Sequence, residues 1–151
     1  MLENIRSGNN VGSIFRTADA FGLEEVILAG YTPAPPHREI LKTSLGAEVS
    51  VPWRSVSDIA PLLNEFSQHG YCITALEQTT ESTLLGRYRP ALHAGTVVVL
   101  GNEVRGVSAE TLALCDEVLE IPQVGTKQSL NVSVAVGVAA YALTQMHVAS
   151  P

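Results

Sequence analysis

Short apolar runs of strand character alternate with segments of helical period along the whole chain, and this alternation restricts the fold more than any other feature. Such a pattern argues an α/β fold with a mostly parallel sheet flanked by helices. The strand-like runs are Glu25–Ala29, Val49–Trp53, Tyr71–Leu76, Thr96–Leu100 and Val118–Ile121. Of these, Thr-Val-Val-Val-Leu at 96–100 reads as the most deeply buried. Helical spacing marks Val11–Ala20, with Asn9 or Asn10 as cap and Gly22 beyond its end, and Val56–Gln68, ended by Gly70. Shorter helices are expected over His37–Thr43 and, capped by Ser108, over Ala109–Leu114. The last helix, Leu130–His147, is apolar nearly all round, so burial on most faces is expected. Thr32-Pro33-Ala34-Pro35-Pro36 fits neither a helix nor a central strand. Gln78–Leu84, polar and rich in Thr and Glu, is the segment of least expected order.

At 151 residues the chain has room for a single domain, 1–151, and 46% hydrophobic with 16% charged residues suits a buried core. Nine basic against fifteen acidic residues give a formal net charge of −6. Bulk charge alone therefore does not suit this chain to grip nucleic acid, and any such contact needs a local basic patch, a dimer or a partner. Cys72 and Cys115 are too few for a disulfide scaffold and point to a reducing compartment. The four histidines do not cluster in sequence, so no metal site is expected. No apolar leader opens the sequence and no run reaches the ~20 residues of a membrane span, so a cytoplasmic protein is expected. A dinucleotide-binding glycine fingerprint, a phosphate-binding P-loop and a nucleophile elbow are all missing, which counts against dehydrogenases, NTPases and hydrolases.

Three segments carry an unusual load of small and polar residues: 4–19, 100–106 and 121–133. The second and third directly follow expected strands, where ligands bind in parallel α/β sheets. Gly101 and Gly106 permit close backbone approach, and Glu103 puts a carboxylate in their loop, able to orient a ribose or a neighbouring loop. Ser129 and Asn131 open the last helix, where residues of this kind are more often caps than ligand contacts, though either could hold a ligand beside the positive helix end. Arg16 alone reads as a surface arginine or an ion pair with Asp19.

Taken together, Asn10–Arg16 followed by Thr17-Ala18-Asp19, then Gly101-Asn102-Glu103-x-x-Gly106, then Ile121-Pro122 with Ser129-Leu130-Asn131-Val132-Ser133 resemble three motifs of a known family. They are those of the SpoU (TrmH-type) RNA ribose 2′-O-methyltransferases of the SPOUT superfamily. The resemblance spans Asn4 to Ala140. It implies a sheet with a C-terminal trefoil knot and S-adenosyl-L-methionine as methyl donor, with S-adenosyl-L-homocysteine as product. The cofactor contacts it implies are Leu76, Gly101, Glu103, Gly106, Ile121, Ser129, Leu130 and Asn131. It implies a homodimer in which the first motif of one protomer joins the cofactor pocket of the other, with the helices from Val11 and Leu130 at the interface. Members usually carry a full strand before the Asn-Ile-Arg-Ser segment. Here only Met1-Leu2-Glu3 precede it, so either the strand is short or the start lies upstream. No RNA-binding extension is expected.

For catalysis the resemblance points to Asn10, Arg16, Glu103, Ser129 and Asn131. The family often assigns the arginine as base. A guanidinium is protonated throughout the physiological range, neutralising it is costly, and substrate phosphate would raise that cost. Arg16 is therefore read as a cation that binds RNA phosphate and stabilises the developing alkoxide, with Asn10 positioning the ribose and Glu103 holding the loops. Arg6, Arg16, Arg38, Lys42, Arg105 and Lys127 are the candidates for a local RNA-binding patch on tRNA or rRNA. Two other readings remain open: a relative that methylates a base, and a non-catalytic dimer that binds cofactor or RNA.

Overall fold

A computed structural model of the chain describes residues 1–91, 93–126 and 129–148. In chain order the elements are β1 Leu2–Glu3, α1 Gly8–Ala20, β2 Val26–Ala29, α2 Arg38–Ser44, α3 Ala47–Ser50, β3 Trp53–Val56, α4 Ala60–Gln68, β4 Tyr71–Leu76, β5 Thr83–Leu84, a 3-10 turn Leu85–Arg87, β6 Gly95–Val99, α5 Ala109–Leu112, β7 Glu117–Glu120 and α6 Val132–Val148. Every ladder is parallel, in the orders β1-β2-β3 and β5-β7-β4-β6. A parallel bridge between Leu2 and Leu100 joins the two ladders. Glu3 N–H donates to Leu100 O at 2.8 Å, and Leu100 N–H to Met1 O at 3.0 Å. The two residues of β1 thus sit between β2 and β6, and both are buried. The Met1 amine donates to Val98 O at 2.8 Å. Burial, partly countered by Glu25, pulls its pKa down to about 5.

The inner strands β2 and β4 are buried on both faces, as helix-covered parallel strands are. Phe15, Ile5, Leu28 and Ile40 form one core with α1 and α6. Ile73, Val99, Ala75 and Leu63 form a second beneath α4. Gly12 sets the α1–α2 packing distance, because a Cβ there would overlap Thr43 Oγ1 and the Ile40 carbonyl.

Several expectations are corrected. α1 begins at Gly8, not Val11, and its cap is Ser7, whose Oγ accepts the Asn10 N–H at 3.3 Å. Asn9 and Asn10 lie inside the first turn, which frees the Asn10 side chain for other partners. Val49–Trp53 is not a strand: 47–50 is a helical turn, and β3 starts at Trp53. Pro52 cannot donate to a ladder, but its carbonyl accepts the Val26 N–H at 2.9 Å. The β-branched Val49 imitates a strand residue yet is 84% exposed. Residues 56–59 accordingly belong to β3 and a turn, and α4 starts at Ala60 with Pro61 in its first turn, where proline fits. Within 78–84, Thr83 and Leu84 pair with β7, and Ser82 Oγ donates to Glu120 Oε2 at 2.6 Å. α6 buries Val136, Ala139, Ala140 and Leu143 but leaves Val134, Val138 and Tyr141 exposed, so in a single chain it is buried on one face only.

Candidate active site

Three loops leave the carboxyl ends of β4, β6 and β7 and, with the start of α6, enclose a pocket of about 560 Å³. Leu76, Gly101, Glu103, Gly106, Ile121, Ser129, Leu130 and Asn131 all line it. Asn102 and Gly106 close the β6 loop with paired backbone hydrogen bonds of 3.0 and 2.8 Å. The buried Asn102 accepts the Val104 and Arg105 N–H groups on Oδ1, both at 2.9 Å. Its Nδ2 donates to Asn4 O at 2.8 Å. Gly106 adopts φ +71°, which favours glycine. A Cβ on Gly101 would land on the backbone of Gly106 and Val107.

Glu103 reaches out of this loop to the entry of α1. Its Oε2 accepts the Arg6 N–H at 2.9 Å, and its Oε1 accepts the Ser7 N–H and Asn10 Nδ2, each at 3.1 Å. Burial pushes the carboxyl up, but bonds from Arg6, its own N–H, Ser7 and Asn10 outweigh that, so it lies below the ordinary carboxylate range. Asn131 Nδ2 donates to Asn10 Oδ1 at 3.1 Å. Ser133 donates to Asn131 Oδ1 from N–H at 2.9 Å and from Oγ at 2.6 Å. An ionised carboxylate only accepts. The polarity of the whole run, Ser133 to Asn131 to Asn10 to Glu103, follows from that.

Arg16 is not brought to this cluster. It lies six residues beyond Asn10, about 9 Å along the helix axis, and does not line the pocket. It is exposed and forms no ion pair with Asp19, whose Oδ1 instead accepts Ser50 Oγ at 2.7 Å. Among the described residues the ion pair is Arg54 with Glu25 at 3.2 Å. Arg6 and Arg105 are exposed beside the Glu103 turn, and Arg38 and Lys42 are exposed on α2. Lys127 lies outside the described residues. Among those described, no His, Cys, Asp and Glu cluster is placed to hold a metal, and no helix is long and apolar enough to cross a membrane.

Glu77 was not foreseen. It follows β4 directly, lines the pocket, and accepts the Val107 N–H at 3.0 Å and the Gln78 N–H at 2.9 Å. The strand-end rule that singles out Gly101 and Ile121 applies to it equally. Glu3 was also missed. It is buried and accepts Ser108 N–H, Ser108 Oγ and Thr111 Oγ1 at 3.0, 2.9 and 2.6 Å, fixing α5.

A parallel α/β sheet with its pocket built by loops at the strand carboxyl ends defines a class of small-molecule and nucleotide sites. Within that class, residues 1–141 match the SpoU rRNA Methylase family, and the chain belongs to it. It is 34% identical over 137 residues to the 23S rRNA (guanosine-2'-O-)-methyltransferase RlmB of Neisseria meningitidis, covering 91% of this chain and 54% of that protein. An AdoMet-bound rRNA methyltransferase from Sinorhizobium meliloti superposes with a TM-score of 0.88 at 26% identity, covering 99% of this chain and 56% of the other. A structure described as giving insights into the 2-OH methylation of C/U34 on tRNA superposes with a TM-score of 0.83 at 27% identity, covering 99% and 95%. The chain spans about half the length of the curated relatives it matches.

Proposed function

We propose that this chain transfers a methyl group from S-adenosyl-L-methionine to a ribose 2′-hydroxyl of RNA, leaving S-adenosyl-L-homocysteine. The observation that carries the reading is the hydrogen-bonded run from Ser133 through Asn131 and Asn10 to Glu103, which ties the three motif segments together beside one pocket. About 560 Å³ of space, edged by glycine backbone, by apolar Leu76, Ile121 and Leu130, and by two carboxylates, suits a purine nucleoside bearing a cationic sulfonium. Leu76, Gly101, Gly106, Ile121, Ser129, Leu130 and Asn131 would hold it, and the bound cofactor supplies an electrophilic methyl. As the 2′-oxygen attacks, the hydroxyl gives up its proton to solvent, and the sulfonium is neutralised as its methyl leaves. Asn10 and Asn131, their amides oriented by ionised Glu103, position the ribose. Glu103 is engaged with three donors and holds the loops together. Arg16, a permanent cation, binds RNA phosphate and stabilises the forming alkoxide.

The catalytic unit in this reading is a homodimer. Arg16 stands apart from its own pocket, and Val134, Val138 and Tyr141 make an exposed apolar stripe along α6. A second copy covers the stripe and carries its Arg16 to the neighbouring pocket. The trefoil knot, the tRNA or rRNA substrate and a cytoplasmic location belong to the same proposal. Nucleoside mass spectrometry tests it: the purified chain is incubated with S-adenosyl-L-methionine and unmodified tRNA and rRNA, with Arg16→Ala as control. A 2′-O-methyl nucleoside that disappears in the variant is expected. A methylated base instead, or no product despite cofactor binding, overturns the reading.

A further inference from the structure

Tyr31 is an exposed aromatic bonded to the pocket residue Asn102, and nothing in the reaction above uses it. It follows Gly30 at the carboxyl end of β2, and 60% of it is exposed. Its backbone is held on both sides. The Tyr31 N–H donates to Asn4 Oδ1 at 3.3 Å. The next residue, Thr32, is buried, accepts the Ile5 N–H at 3.0 Å and donates to Ala29 O at 2.8 Å. The ring is held as well, because its hydroxyl accepts Asn102 Nδ2 at 3.0 Å. With backbone and hydroxyl both tied down, the ring faces solvent with little rotamer freedom left to lose on binding.

The surroundings are those of a nucleic-acid contact. Arg105 follows the same turn, its N–H bound to Asn102 Oδ1, and Arg6 is bound by N–H to the adjacent Glu103. Both guanidinium-bearing side chains are exposed. Val104, 76% exposed, adds apolar surface in the same turn. Asn102 and Glu103 also line the pocket, so the ring stands at the edge of the site. An exposed, immobile ring flanked by cations is what single-stranded RNA recognition uses: bases stack on aromatic faces while phosphates meet arginine.

Resting on the methyltransferase reading, we propose that Tyr31 is a stacking platform for an unpaired nucleobase of the RNA substrate, next to the nucleotide whose ribose enters the pocket, with Arg6 and Arg105 on the flanking phosphates. Because stacking reads only a π-face, this subsite holds the strand in register without specifying the base.

The test measures binding of a fluorescein-labelled, mixed-sequence single-stranded 20-mer RNA to the full-length protein across a salt series, beside S-adenosyl-L-homocysteine binding by calorimetry. Tyr31→Ala is expected to weaken RNA about tenfold, within the range alanine substitution of a stacking residue gives, with an unchanged salt slope and unchanged homocysteine-product binding. Tyr31→Phe and Tyr31→Trp are expected to stay within about twofold of wild type, since both keep the face. Arg6→Ala is expected to lower the salt slope by about one, the mark of a phosphate contact. Wild-type RNA affinity in Tyr31→Ala overturns the proposal. So does an equal loss in Tyr31→Phe, which assigns the effect to the Asn102 bond, or a loss accompanied by altered product binding or a changed oligomeric state, which makes Tyr31 a structural or protein-contact residue. If the wild-type protein neither binds nor methylates RNA, the function reading beneath it falls too. Methylation that persists unchanged in Tyr31→Ala sinks the platform alone.

Discussion

Replacing Glu103 by Gln tests the idea that this carboxylate fastens the pocket loop to the start of α1. The carboxylate takes the Arg6 N–H on one oxygen and Ser7 N–H with Asn10 Nδ2 on the other. Glutamine has one acceptor oxygen. Whichever way the amide turns, its NH2 faces a backbone N–H, and at least one bond is lost while the others become neutral. A hydrogen bond to a charged group contributes about 1.5–3 kcal/mol, and roughly half of that survives on neutralisation. Glu103 is exposed, so water relieves part of the loss and the low end applies. About 2 kcal/mol of destabilisation remains, which lowers Tm by about 4–8 °C for a chain of this size. The pH dependence adds a sign. The folded-state carboxyl lies below its ordinary value of 4.5. Its contribution is therefore full above that pH and is lost as pH falls through the lowered folded value. Scanning calorimetry of both proteins from pH 7 to pH 3 is expected to show a gap that is constant near neutrality and narrows in acid. A variant melting within about 1 °C of wild type at pH 7, or a gap that widens on acidification, refutes the tie.

Gly101→Ala would drive a methyl into the Gly106–Val107 backbone. Overpacking of this kind costs about 1–3 kcal/mol or more, so loss of S-adenosyl-L-homocysteine binding by calorimetry is expected with Tm falling less than in a core variant. Gly12→Ala meets Thr43 and the Ile40 carbonyl at the α1–α2 contact, away from the pocket. It is expected to lower the denaturation midpoint by a similar energy while cofactor affinity in the folded fraction stays unchanged. Arg16→Lys keeps the charge but loses the planar fork, and kcat/KM is expected to fall about tenfold. Near-full activity would argue for simple charge neutralisation. Val138→Lys places a charge in the apolar stripe of α6, and light scattering is expected to show a shift to monomer with loss of methylation.

What the sequence made legible, and what it did not, divides along the range of the forces involved. Tyr71–Leu76 is found as a strand with the boundaries its apolar run suggests, because burial on both faces is written into consecutive residues. β1 had no such signature. Two residues become strand only because Leu100, nearly a hundred residues on, and Leu28 stand on either side of them. At β3 local cues misled: β-branched Val49 and Val51 imitate a strand, and Pro52 displaces the ladder to Trp53. The pocket divides in the same way. Glycines after an apolar run announce a strand-end loop, so Gly101 and Gly106 could be singled out. That Glu103 would bind the entry of α1, that Glu77 would grip Val107, or that Asn102 would hold the hydroxyl of Tyr31, 71 positions away, depends on distances that only the closed sheet creates. Arg16 marks the limit of the single chain. Its motif is the most legible part of the sequence, yet its side chain stands clear of the pocket and meets no partner among the described residues. In the proposed dimer, this cation and the uncovered apolar stripe of α6 would both be met by a surface of the second copy. The dimer test at Val138 and the activity test at Arg16 therefore interrogate the same interface from its two sides.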